Sequence, residues 1–129
     1  MITLRNVTKI FHQGTINENK AIKDLSLSIE KGDFITVIGS NGAGKSTVLN
    51  LIAGNLIPED GEIIINNINV TKIPNYMRAS FIGQVFQDPL SGTAGSLSIE
   101  ENLAIASKRG EKRWFKLGVT NIKRKKFAN

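Results

Sequence analysis

The sequence predicts an α/β domain organised around one glycine-rich loop, and three observations carry that reading. Phe34-Ile35-Thr36-Val37-Ile38 is an almost wholly apolar run rich in β-branched residues, which suits a central strand buried on both faces of a parallel sheet. A loop with glycines at positions 39, 42 and 44 follows it directly. Behind the loop, Lys45–Ala53 sets Val48, Leu49 and Ile52 at helical spacing, and Gly54 ends the helix in the usual C-terminal manner.

Residues 2–11 read as a strand in which Ile2, Leu4, Val7 and Ile10 alternate only roughly. Residues 12–20 are polar and turn-forming, hence a loop. Leu25, Leu27 and Ile29 alternate cleanly, as in a half-buried strand, and Lys31-Gly32-Asp33 is a turn. Beyond the helix, Pro58-Glu59-Asp60-Gly61 is a turn, Ile63–Ile65 a strand, and Asn66-Asn67 a pair suited to a tight hairpin. Pro74–Ala79 is long enough for one helical turn, and Phe81–Phe86 reads as another strand. Residues 88–96 form a Pro/Gly/Ser loop. Ser98-x-x-Glu101 is a capping box that opens a helix from Ile99 to about Ser107. There is no internal repeat.

Composition narrows the class. At 129 residues and 40% apolar content, the chain can form one ordinary domain with a core. It has no cysteine, so disulfides and thiolate metal sites are excluded. No apolar run approaches the roughly 18 residues of a membrane span. The start, Met1-Ile2-Thr3-Leu4-Arg5-Asn6, lacks the basic-then-apolar layout of a signal peptide. A soluble protein of the cytoplasmic side is the default expectation. The net charge of +6 is unevenly spread: residues 1–107 carry −2 and residues 108–129 carry +8. The basicity therefore belongs to the tail, and it bears on the tail's neighbours.

Gly39-Ser40-Asn41-Gly42-Ala43-Gly44-Lys45-Ser46 satisfies every fixed position of G-x-x-x-x-G-K-[ST]. The chemistry of a polyanion dictates these residue types. The backbone must wrap the phosphates with its N–H groups turned inward, and the glycines permit the turns and the close approach. The helix that starts here offers its unpaired N–H groups and positive dipole end. Lys45 reaches the β- and γ-phosphates as a point charge, the Ser46 hydroxyl is placed to ligate Mg²⁺, and Thr47 adds a hydroxyl and an N–H near the α-phosphate. At average composition the pattern arises in a chain of this length on the order of once in a few hundred. A dinucleotide fold is disfavoured, because Gly42-x-Gly44 lacks a third glycine three residues on.

Two further stretches select a family. Val85-Phe86-Gln87-Asp88-Pro89 resembles the Q-loop of ABC ATPases, and Leu97-Ser98-Ile99-Glu100-Glu101-Asn102 resembles the helix start that follows it there. Val7-Thr8-Lys9-Ile10-Phe11 is similar to the strand whose last aromatic stacks on adenine. Asp24–Asp33 is similar to that family's approach to the phosphate loop. The resemblance runs nearly continuously from Ile2 to about Gly110 and implies a partial P-loop NTPase fold of the ABC type. That fold comprises an N-terminal antiparallel β subdomain and the start of the mixed α/β core and of the helical subdomain. The domain expectation is 1–107 for the ATP-binding portion and 108–129 for a basic tail, the start of the helical subdomain or a truncated end.

The resemblance also implies roles. Phe11 stacks on the adenine ring; Gly39, Asn41, Gly42, Ala43, Gly44, Lys45, Ser46 and Thr47 hold ATP; Ser46 ligates Mg²⁺; Gln87 ligates Mg²⁺ or orients the attacking water; and Lys45 and Gln87 serve catalysis. A neutral amide suits Gln87, because it can hold a cation or a water without adding charge. Gln84, three residues earlier, is read as an ordinary strand residue. His12 is read as surface, and Trp114, Phe115 and Leu117 as helix packing. Leu90–Gly95 superficially matches the family's signature, but it follows Gln87 by three residues, whereas the family places its signature beyond a helical subdomain. It is read as coincidence.

Other family features have no counterpart in these residues. Family catalysis uses four apolar residues followed by Asp-Glu, and no such string occurs; Ile63-Ile64-Ile65 ends in Asn66. The resemblance therefore implies a chain that stops within the helical subdomain, binds ATP and turns it over at background rate on its own. One side of Phe34–Ile38 is then expected to lack a pairing strand, giving marginal stability. The expected function is the ATP-binding subunit of an ABC transporter, an ATPase by family, coupling ATP to transport of a small solute in a bacterial importer. Expected partners are transmembrane permease subunits, a second ATP-binding subunit and a solute-binding protein, with the subunit on the inner face of the cell membrane. Two alternatives stand beside it: an inert or regulatory nucleotide-binding fragment, and a soluble ABC-type ATPase acting on ribosomes or DNA. The tail's charge invites the last, but it has little aromatic interleaving and no recognition motif, so nucleic acid is disfavoured.

Overall fold

The computed structural model describes residues 1–86 and 88–108. The chain divides into two compact units, Met1–Arg78 and a second that begins at Ala79.

The first unit is built on a four-stranded sheet in the order β2-β1-β3-β4, with every pairing antiparallel. Strand β1 is Ile2–Phe11, β2 Asn19–Ile29, β3 Asp60–Ile65 and β4 Ile68–Asn69. Alternation decides which face is buried: Leu4, Val7, Ile22, Ile63 and Ile65 point into the core while their neighbours face outward. Leu4 stands opposite Ile63 on one side and Leu27 on the other, so one side chain ties three strands together. The rough alternation of β1 has a structural cause. Asn6 and Asp24 both have left-handed backbone (φ 49° and 52°), and the register slips beside them. The Asn6 side-chain amide donates to Asp24 Oδ1 at 2.8 Å, and the Asp24 N–H donates to Thr8 Oγ1 at 3.1 Å, which fixes the irregularity. Strand β2 begins at Asn19, within the stretch expected to be loop, because Asn19, Lys20 and Ile22 find partners on β1.

The Asn66-Asn67 hairpin forms as expected. Both residues have positive φ (49° and 65°), the backbone that a two-residue turn of this hand requires. Helix α1 spans Lys45–Ala53 and ends at Gly54, whose φ of 84° lets its N–H reach back to the Asn50 and Leu51 carbonyls. Its buried residue is Leu51, whereas Leu49, expected on the apolar face, is exposed. A single turn, α2, covers Asn75–Arg78.

Two expected strands are not formed. Phe34–Ile38 and the described residues of 81–86 make no sheet ladder. A strand exists only where its N–H and C=O groups find a neighbouring chain, and neither run has one among the described residues. The apolar side chains lie open as a result: Phe34 is 94% and Ile38 89% exposed.

In the second unit, helix α3 spans Ile99–Ala106 and starts with both halves of the capping box in place. Ahead of it Pro89–Gly92 forms a 3₁₀ turn, capped by Asp88, whose carboxylate accepts from the Leu90 N–H at 3.0 Å. The basic tail from 109 onward, with Trp114, Phe115 and Leu117, lies outside the described residues.

Candidate nucleotide-binding site

The loop between residue 38 and α1 is shaped by close approach and by backbone sign. Gly42 and Gly44 both have φ of 84°, a conformation that L side chains rarely adopt. Gly39 is required for a different reason: a Cβ there would lie 3.0 Å from the Ala43 Cβ. The Ala43 N–H closes a turn onto the Ser40 carbonyl at 3.2 Å. Gly44 is buried, and a Cβ on it would stand 2.8 Å from the Ala21 carbonyl oxygen. The start of α1 therefore rests directly on β2.

That start carries no side-chain cap. Gly44 is the N-cap and has no side chain to satisfy the first N–H groups of α1, and the first turn contains no acidic residue. Ser46 is exposed and Thr47 half-buried at this end. The Lys45 ammonium folds back over the loop and donates to the Gly39 and Ser40 carbonyls at 2.7 and 2.6 Å. The combination of unpaired N–H groups, a positive helix end, a cation and a hydroxyl suits a phosphate chain. No group of His, Cys, Asp or Glu that could hold a metal occurs among the described residues. Magnesium bound through a hydroxyl and the nucleotide's own phosphates fits that inventory.

Phe11 is the last residue of β1 and pairs with Asn19 on β2. Asn19 is two residues, about 7 Å of strand, from the Ala21 carbonyl on which Gly44 rests. The aromatic and the loop thus converge on one stretch of β2. Lys9, two residues back on the same side of β1, places its ammonium 5.5 Å from the centre of the Phe11 ring. Lys9 is itself fixed by Glu59 Oε1 at 2.6 Å and the Ile57 carbonyl at 2.8 Å. The sequence reading missed Lys9, although the two-residue spacing from an aromatic on a strand was its available signal. Gln87 lies outside the described residues, so its place relative to the loop is not part of this geometry.

A sequence model of the ABC transporter family matches residues 22–129. The chain belongs to that family. Among its relatives, the cassette is 38% identical over 111 residues to the tyrosine transport ATP-binding protein of Clostridioides difficile, covering 86% of this chain and 44% of the relative. It is 43% identical over 90 residues to the energy-coupling factor transporter ATP-binding protein EcfA2 of Clostridium tetani, covering 68% of this chain and 31% of the relative. Further relatives carry the words import and export in their names alike. Among solved structures, a dimeric post-hydrolysis state of the ATP-binding cassette MJ0796 bound to ADP and Pi superposes with a TM-score of 0.77 at 30% identity. That match covers 99% of this chain and 54% of the other. The cassette therefore spans about half the length of that structure and less than half of those two relatives. The expected P-loop NTPase fold of ABC type, in partial form, is what the comparison returns.

Proposed function

We propose that this chain binds Mg²⁺-ATP as part of the ATP-binding subunit of a transporter, energising passage of a small solute across a membrane. The observation that carries the reading is the uncapped start of α1 beside the Lys45 ammonium. Gly39, Asn41, Gly42, Ala43, Gly44, Lys45, Ser46 and Thr47 cradle the phosphates, and Phe11 offers a flat apolar face to the adenine. Lys45 exchanges two carbonyl oxygens for phosphate oxygens, trading neutral acceptors for charged ones. Ser46 and Gln87 would hold the magnesium ion, which when bound neutralises charge on the phosphates. Lys45 and Gln87 are the catalytic residues of the reading, and turnover by this chain alone stays near background, since its residues include no Asp-Glu after an apolar strand.

The assembly reading is a dimer of ATP-binding subunits docked on transmembrane permease subunits at the inner face of the cell membrane, with a solute-binding protein where the system is an importer. Support comes from the dimeric cassette structures and from relatives named for tyrosine transport and energy coupling. No helix among the described residues is long and apolar enough to cross a membrane, which is compatible with a peripheral subunit.

The test is a thermal unfolding series with Mg²⁺-ATP, wild type beside Ser46→Ala. Saturation at a hundred times Kd stabilises by about 2.7 kcal/mol. That shift is expected in the wild type, with its magnesium-dependent part lost in Ser46→Ala. A wild type that folds and shows no shift contradicts it.

A further inference from the structure

Arg78 is the one charged side chain wholly buried among the described residues. It has no carboxylate partner there. Its charge is met instead by backbone oxygens. Nε donates to the Ile73 carbonyl at 2.7 Å, and Nη1 to the Leu51 and Ile52 carbonyls at 2.8 Å each. Nη2 donates to the Val70 carbonyl and, at 3.3 Å, to that of Thr71. A buried cation without such partners is strongly unfavourable, so five acceptors in one place are a built socket.

Two of those acceptors, Leu51 and Ile52, lie in the last turn of α1, at the negative end of the dipole, and the Leu51 carbonyl is shared with the Gly54 N–H at 3.3 Å. Gly54 makes room for the guanidinium: a Cβ at this position would stand 2.7 Å from Nε. At the other end of α1, Gly44 rests on the Ala21 carbonyl. The helix is therefore pinned at both ends, by backbone contact where the phosphates would bind and by a cation at the far end. Nine residues make a rod of about 13 Å, and its free N–H groups point along its axis.

We propose that Arg78 is a positioning residue for phosphate binding: by holding the far end of α1 it sets the direction in which the first N–H groups of the helix face the nucleotide. The inference rests on the phosphate-loop reading and adds to it a residue outside the loop. An arginine that merely supports the fold would change stability and leave the affinity of folded molecules alone.

The experiment uses the full 129-residue chain. Mg²⁺-ATP affinity is measured by calorimetry, with the folded fraction taken from circular dichroism, for wild type, Arg78→Lys, Gly54→Ala, Leu4→Ala and Lys45→Ala. Arg78→Lys keeps the charge and loses the fork, while Gly54→Ala keeps the arginine, crowds it and also strains the left-handed cap of α1. Each is expected to weaken binding per folded molecule about tenfold, the lower end of what losing an outer-shell partner costs at a metal site. Leu4→Ala, in the sheet core, lowers stability and leaves that affinity within about twofold, as a site without shared partners should. In the wild type, the Arg78 Nε–H resonance is expected to shift on adding Mg²⁺-ATP, a readout that requires no variant to fold. Wild-type affinity in Arg78→Lys and Gly54→Ala, equal loss in Leu4→Ala, or an unmoved Nε–H resonance in a chain that binds nucleotide would overturn the inference while leaving the phosphate loop in place. Binding unaffected by Lys45→Ala would overturn the phosphate-loop reading and this inference with it.

Discussion

Glu59 accepts a hydrogen bond from the Lys9 ammonium at 2.6 Å and, through its other oxygen, one from the Ile10 N–H at 2.6 Å. One carboxylate on the approach to β3 thereby fixes the end of β1 that carries Phe11. Partial burial pushes the Glu59 carboxyl up, but the Lys9 hydrogen bond, the Ile10 N–H and the charge of Lys9 together outweigh it, and the net direction is down.

A depressed carboxyl favours folding above its ordinary value of 4.5, and the contribution is lost as pH falls through the lower folded-state value. Glu59→Gln should therefore cost about 1 kcal/mol at neutral pH, given the pair's partial exposure, and the gap to wild type should close in strong acid. Urea unfolding of both proteins across that range checks the sign. A gap that widens toward acid would contradict it.

The capping box of α3 can be tested apart from the first unit. Ser98 Oγ accepts from the Glu101 N–H at 3.3 Å, and the Glu101 carboxylate accepts from the Ser98 N–H at 2.8 Å. Ser98→Ala should destabilise the helix by about 1 kcal/mol. Amide exchange should quicken along Ile99–Ala106 while exchange in the β1–β3 core stays as it was. The bonds from Ser98 hold the Glu101 carboxyl below its ordinary value, so wild-type protection of α3 should fall as the solution is acidified.

The open apolar run makes a solubility prediction. Phe34 and Ile38 are exposed in a stretch with no ladder partner among the described residues, a template for association between chains. Replacing both with lysine should raise the concentration at which the 129-residue chain stays dispersed in light scattering. The unfolding midpoint should shift by no more than about 0.5 kcal/mol equivalent, as for exposed sites. A large loss of stability would show that these side chains are packed in solution.

Much of this was legible in the sequence because the determinants are local. The glycine turns at 42 and 44, the Gly54 stop, the Asn66-Asn67 turn and the Ser98–Glu101 box each depend on residues within a few positions of one another, and each appears where the sequence put it. Phe34–Ile38 and Phe81–Phe86 have strand composition, but pairing is a property of two segments, and composition reports only one. The start of β2 was misplaced for a related reason: Asn19 and Lys20 look like loop residues, and only their partners on β1 make them strand. Arg78 was illegible. Nothing in Asn75-Tyr76-Met77-Arg78 signals that the arginine is buried, because its five acceptors are backbone carbonyls of residues 51, 52, 70, 71 and 73, and a carbonyl carries no sequence signature.

The backbone and side chains of Gly39–Thr47 are proposed to bind the phosphates of ATP. Calorimetric titration of the folded 129-residue chain with Mg²⁺-ATP, wild type beside Lys45→Ala, tests it most directly. Saturable binding is expected, weakened about a hundredfold by Lys45→Ala, the scale of a lost charge-assisted bond to phosphate. A folded wild type that takes up no nucleotide, or equal binding by the two proteins, would contradict it.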